Sequence, residues 1–369
     1  MPDDSKSLLH TTLPLPSKIH QINGLQIIRA IAVALVAWLH AGQDLVPVTK
    51  EILPEFGAFG VDIFFVISGF IMSLILLRSR HEASGLRATW EFLKRRLIRI
   101  FPIYWLFCLI IALRLLRNRS FFQQNYLPSI FLLPFGHQPT PALVSFSWTL
   151  VFEIFFYLSL SVILMFFSAR RAVLVSIVSF CSAILLGEVA GTQHPFWIIG
   201  CNPMLLEFVF GALLALAHQR LGRMRGFGIA LLLLGVAEAL YLRAFPDQGG
   251  ANGMQMVLAG VQVIRRVTTW GLSAAMIVGG IIFWSPVITK KLGRIVVILG
   301  NASYSTYLAS ALLIEFTMRL ILKIRGEATM STPEHVAYQT LIVFAVFAGG
   351  WLCYQFIEWP MIRKLQGMV

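Results

Sequence analysis

The stretch "LQIIRAIAVALVAWLH", Leu25 to His40, decides how the rest of the chain is read. It is apolar enough for lipid, yet it carries an arginine near one end and a histidine at the other. As a helix, eleven steps turn through ~1100° and rise ~16.5 Å, so Arg29 and His40 share a face near opposite sides of a bilayer. One reading is snorkelling, with both side chains reaching for headgroups. The other is function, because ionisable residues inside a span are costly and mark sites. Histidine also suits general-base chemistry near neutral pH.

The whole chain resembles this stretch in character. Of its 369 residues 57% are hydrophobic and only 13% charged, with a mean hydropathy of +0.78. A soluble domain carries about a quarter charged residues. About ten stretches approach the ~20 apolar residues that cross a bilayer: 24–42, 58–78, 98–117, 145–167, 171–189, 197–218, 226–244, 263–284, 298–322 and 335–357. In lipid each must be helical, because an open backbone leaves polar groups unpaired. The expected fold is therefore all-α, a polytopic transmembrane helix bundle over 22–364 between short tails at 1–21 and 365–369. No fused soluble domain and no cleavable signal peptide is expected. The run 126–135 is too short to cross and is expected to be re-entrant or interfacial.

The net charge of +13 does not indicate nucleic acid, since the basic residues sit in short loops and form no groove or tail. They concentrate on one side, around Arg78–Arg99, Arg170–Arg171, Arg220–Arg225, Lys290–Arg294 and Arg363–Lys364, which places both termini in the cytoplasm. The four cysteines lie in apolar stretches without metal-ligand spacing, so neither a disulfide framework nor a metal site is expected. Walker, HExxH and GxSxG motifs are absent.

Other polar residues fall within the spans. Asp62 lies in "GAFGVDIFFVISGF" about one turn inside the expected outer end, and Glu153 in "SFSWTLVFEIFFY" about two turns inside. Either carboxylate can orient His40 and stabilise its charged form. The competing readings are a helix N-cap for Asp62 and a buried strut for Glu153. On the opposite side, "KRRLIRIFPIYW" (94–105) sets Arg96 and Arg99 on one helix face beside the entry point of Arg29. Guanidinium forks suit phosphate. A polyanion site at one face and a base ~16 Å away fit a long donor, either acyl-coenzyme A or a polyprenyl-phosphate sugar. Ser147, Trp148, Tyr157 and Tyr304 are candidates for a sugar path, with Tyr304, near the inner end, reading rather as structural. Glu207, in "NPMLLEFVFG", stays unassigned, and Glu358 reads as structural. His137, in the outer 118–144 loop, is a candidate acceptor contact against simple solvent exposure.

These motifs, in this order, resemble the acyltransferase-3 family of bacterial membrane acyltransferases. Arg29 and His40 match its Arg-x10-His motif, "FGVDIFFVISGF" its second block, and Arg96-x-x-Arg99 before "IFPIYW" its third. "SWTLVFEIFFY", "LGNASYSTYL" and "YQFIEWPMIRKL" match later blocks. The resemblance covers roughly 22–364 and is strongest to short members such as exopolysaccharide and nodulation-factor acetyltransferases. It implies transfer of acetyl from cytoplasmic acetyl-CoA, with no permanently bound cofactor, to a glycan hydroxyl outside the inner membrane. A polysaccharide assembly complex is an implied partner. His40 carries over as catalytic, with Glu153 and Asp62 beside it. Arg29, Arg96 and Arg99 carry over as donor-binding. Ser310 stands where many relatives have a second histidine. A transporter or flippase of lipid-linked glycans, or transfer of another acyl group such as succinyl, is the alternative.

Overall fold

The computed structural model describes residues 23–44, 56–79, 84–117, 126–134, 143–144, 146–190, 195–245, 247, 249, 253–326 and 331–367. His137 lies outside them, as does nearly all of both tails. Among the described residues the chain is helical throughout, without strands. In order come α1 (Asn23–Asp44), α2 (Phe59–Arg78), α3 (Gly85–Arg117), the short α4 (Leu127–Ile130), α5 (Trp148–Phe166) and α6 (Ala169–Ala190). There follow the short α7 (Pro195–Gly200), α8 (Leu205–Leu221), α9 (Arg225–Ala244), and the short α10 (Met254–Leu258) and α11 (Val263–Arg266). The last are α12 (Leu272–Trp284), α13 (Lys291–Asn301), α14 (Ser303–Arg325), α15 (Thr332–Cys353) and α16 (Trp359–Gly367).

Nine helical segments among the described residues are long and apolar enough to cross a membrane. Nine of the expected spans correspond to them. The remaining one, 298–322, is present as the 23-residue α14 but falls short in apolarity. Ser303, Tyr304, Ser305 and Thr306 at its start, with Glu315 and Arg319 further on, explain the shortfall, and the first four are all at least half-buried in the bundle. Exposed Val178, Leu185, Leu233 and Phe344 give the outward surface a hydrocarbon character suited to lipid.

Three spans are not plain α-helices. Cys201–Met204 breaks the α7–α8 span. Val267–Gly271 forms a π-helical turn between α11 and α12, and Tyr354–Glu358 forms another between α15 and α16. The run 126–135 yields only the single turn of α4, tied to the bundle where Tyr104 donates to the Ser129 carbonyl at 2.6 Å, with Leu127 exposed.

With lipid on the outside, hydrophobicity cannot pull helix against helix, so close backbone approach does much of the work. The α2–α8 crossing shows it from both sides. A Cβ on Gly69 would stand 2.1 Å from the Phe208 carbonyl oxygen, and one on Gly211 would stand 2.2 Å from that of Val66. Helix α14 ends at Gly326, whose φ of +84° suits glycine, and α15 opens with a capping box between Ser331 and Glu334.

Candidate active site

Helices α1, α2, α3, α5 and α14 enclose a cavity with about 810 Å3 of empty space, its open mouth included. Arg29 enters it from α1, and Arg96 and Arg99 enter from α3. The i, i+3 spacing on one helix and the matching depth on the other converge three guanidiniums on one volume. Arg29 donates to Gln26 Oε1 at 3.2 Å and lies within electrostatic reach of Arg99, Glu358 and Glu153. Nε of Arg96 is buried without a hydrogen-bond partner. Three cations facing one cavity carboxylate make the chamber a site for an anion.

That carboxylate is Glu153. Its Oε1 accepts from Ser68 Oγ at 2.8 Å and from the Tyr157 hydroxyl. It therefore belongs with the arginines rather than with His40. Behind the cluster, Glu358 on the second π-turn is 3% exposed, accepts from Ser305 Oγ, and acts electrostatically on Arg99 and Arg29. Its sequence reading as a purely structural residue missed this closeness, since only the bundle brings residue 358 to residue 29.

Toward the other end the walls become neutral. Tyr307 of α14 donates to the Phe146 carbonyl at 2.6 Å and meets Thr149 Oγ1 at 2.7 Å. Phe146 in turn stacks on the His40 ring, with centroids 3.8 Å apart and planes at 24°. His40 thus stands one aromatic layer beyond the cavity wall, on the same unbroken helix as Arg29. Its Nδ1 lies 3.1 Å from Gln43 Oε1. With that carbonyl as acceptor, Nδ1 carries the ring proton and Nε2 presents a lone pair, the tautomer a general base needs.

The expected trio of His40, Glu153 and Asp62 does not assemble. Asp62 is not an N-cap either: it sits in the first turn of α2, whose N-cap is Ala58. Its Oδ1 and Oδ2 accept from Arg266 Nε at 3.0 Å and Nη2 at 2.6 Å in a buried pair. Arg266, 204 residues away in the chain, takes the carboxylate that sequence had offered to the histidine. Ser147 and Trp148 also stand outside the cavity wall. Ser147 is 1% exposed with its Oγ 3.4 Å from the Tyr104 hydroxyl, and Trp148 packs edge-on against Phe152. Tyr157 and Tyr304 do line the cavity, and Tyr304 donates to the Ile100 carbonyl at 2.9 Å. Ser310 donates to the carbonyl of Tyr307. Sequence reasoning passed over Ser68 and Tyr307. The signals were a hydroxyl two turns along α2 from Val61, and the i, i+3 pair Tyr304 and Tyr307.

Among the described residues no group of His, Cys, Asp and Glu has the makings of a metal site, and the four cysteines are unpaired. The chemistry of the chamber is that of cations, hydroxyls and one carboxylate, with the His40 imidazole one aromatic layer beyond its wall. Residues 22–355 match the family model described as an acyltransferase domain, Acyl_transf_3. The chain belongs to the acyltransferase-3 family. Its activity class is accordingly membrane O-acyltransfer, which decides against the transporter reading. The exopolysaccharide production protein ExoZ of Rhizobium meliloti is 29% identical over 319 residues, 84% of this chain and 90% of that protein. The O-acetyltransferase OatA of Staphylococcus aureus is 23% identical over 339 residues, 84% of this chain but 53% of that protein. No solved structure matches the chain.

Proposed function

We propose that this acyltransferase moves acetyl from cytoplasmic acetyl-CoA to a hydroxyl of a glycan on the far side of the bacterial inner membrane, with both termini in the cytoplasm. The observation that carries the reading is a cavity with Arg29, Arg96 and Arg99 at one end and Tyr307 at the other, where Tyr307 bonds the Phe146 carbonyl and Phe146 stacks on His40. The guanidiniums hold donor phosphates. Glu153, fixed by Ser68 and Tyr157, keeps the arginines apart and oriented. The thin arm of the donor lies along the neutral walls and presents its thioester at Thr149 and Tyr307.

There the acceptor oxygen attacks the thioester carbonyl carbon while Nε2 of His40 takes the hydroxyl proton. The tetrahedral intermediate collapses, the C–S bond breaks, and the leaving thiolate takes the proton back from the imidazolium. Ester and thiol form with no net proton change. Phe146, stacked on His40, must swing aside for the imidazole to reach the acceptor hydroxyl. A base so placed supplies about 10²–10⁴ in rate, and alignment in a water-poor chamber supplies much of the rest. The names of ExoZ and OatA, exopolysaccharide production and O-acetyl transfer, support the acetyl group and a polysaccharide acceptor. A polysaccharide assembly complex would then be the setting in which the enzyme meets its acceptor.

Mass spectrometry of surface and secreted glycans tests this, comparing a deletion strain complemented with the wild type or with His40→Ala. The expected result is an acetyl-sized increment, removed by mild base, that only the wild type restores. Glycans that are exported normally but carry the increment without His40 contradict it. An increment of succinyl size replaces acetyl while leaving the rest of the mechanism intact.

A further inference from the structure

Away from the cavity, three charged side chains meet inside the bundle. Asp62 and Glu207 are each 0% exposed and Arg266 is 2% exposed. Arg266 spends two of its donors on Asp62 and a further bond from Nη2 on the Ala58 carbonyl at 3.1 Å. Glu207, on the first turn of α8, receives nothing comparable: neither of its carboxyl oxygens has a hydrogen-bond partner. The charged groups acting on it are Asp62 of α2 first and Arg266 second. Helices α5, α6 and α12 also pack against α8, but among the described residues they bring no charged side chain to it. The π-turn passes close by, with Gly271 leaving room for the carboxyl: a Cβ there would stand 3.0 Å from Glu207 Oε1.

Among the described residues, two carboxylates against one guanidinium leave one negative charge, with no donor bonded to Glu207. An ionised group without partners is untenable there, and a second carboxylate nearby makes it worse. A single proton removes both problems. It cancels the surplus charge and lets the Glu207 hydroxyl turn toward Asp62 as a donor.

We propose that Glu207, Asp62 and Arg266 form a buried proton-binding site, in which Glu207 is a neutral acid at physiological pH and the trio as a whole is uncharged. The site joins α2, α8 and the start of the eighth span. None of the three residues lines the cavity, although Asp62 follows the wall residue Val61 in the chain. The proposal stands apart from the acyl-transfer reading, since it rests on burial and pairing alone.

Infrared difference spectroscopy of the purified, detergent-solubilised protein against Glu207→Gln tests it. The protonated-carboxyl C=O stretch is expected in the wild type at neutral pH and missing from the variant. Identical spectra in that region overturn the proposal. Thermal melts provide a second measure. An unfolded glutamate releases its proton above about pH 4.3, while the folded protein keeps it. Folding therefore takes up one proton, and wild-type stability falls as pH rises, by about tenfold in the folding equilibrium per pH unit. The amide introduced by Glu207→Gln does not titrate. The variant is expected to match the wild type near pH 5 and to melt higher by a margin that widens toward pH 8. A variant that unfolds more easily across that whole range shows that Glu207 works as an anion, and overturns the proposal.

Discussion

At the scale of single residues the account hangs on what each side chain can donate, accept or hold. His40→Ala removes the base, so turnover with acetyl-CoA is expected to fall about 10²–10⁴-fold with protein abundance unchanged; equal initial rates in membranes would contradict the assignment. Arg96→Lys keeps a positive charge but loses the planar fork that grips phosphate. A lost charge-assisted bond is worth about 1.5–3 kcal/mol, so KM for acetyl-CoA is expected to rise on the order of tenfold or more while kcat changes little. Of the candidate site residues, Arg29, Arg96 and Arg99 were legible because helical spacing alone sets them on facing surfaces at one depth. The partners of the carboxylates were not. Asp62 lies at a depth that admits His40, and only packing reveals that Arg266 holds it. Glu153 lay at a depth that suited the histidine, yet Ser68 and Tyr157 draw it to the arginines.

At the scale of elements, the bundle is built where backbones touch and where buried charges are matched. Gly211→Leu puts a side chain into the α2 backbone at Val66, where nothing can yield. It is expected to abolish accumulation of folded protein, read by fluorescence-detected gel filtration; a normal monodisperse peak would show that α2 and α8 can part without cost. Asp62→Asn removes the carboxylate that accepts two hydrogen bonds from the buried Arg266. Breaking such a pair costs about 3–5 kcal/mol, and a second change, Arg266→Gln, is expected to recover part of the melting temperature. Existence and order of the long helices were legible from hydropathy, because lipid leaves the chain no other choice. Their interruptions were less so. The two π-turns, Val267–Gly271 and Tyr354–Glu358, sit inside apolar runs that hydropathy reads as unbroken helix. The start of α15 carried a signal that the span 335–357 passed over, the capping box of Ser331 and Glu334.

At the scale of the whole molecule the claim is one of direction: donor on the side of the arginines, ester bond made near the other face. Inverted membrane vesicles expose the proposed cytoplasmic side, so acetyl-labelled CoA added outside and a glycan acceptor sealed inside meet only through the protein. The account predicts labelled, base-labile ester on the enclosed glycan with wild-type protein, and none with His40→Ala. Label appearing only on acceptor placed on the same side as the donor, or appearing equally without His40, would contradict it.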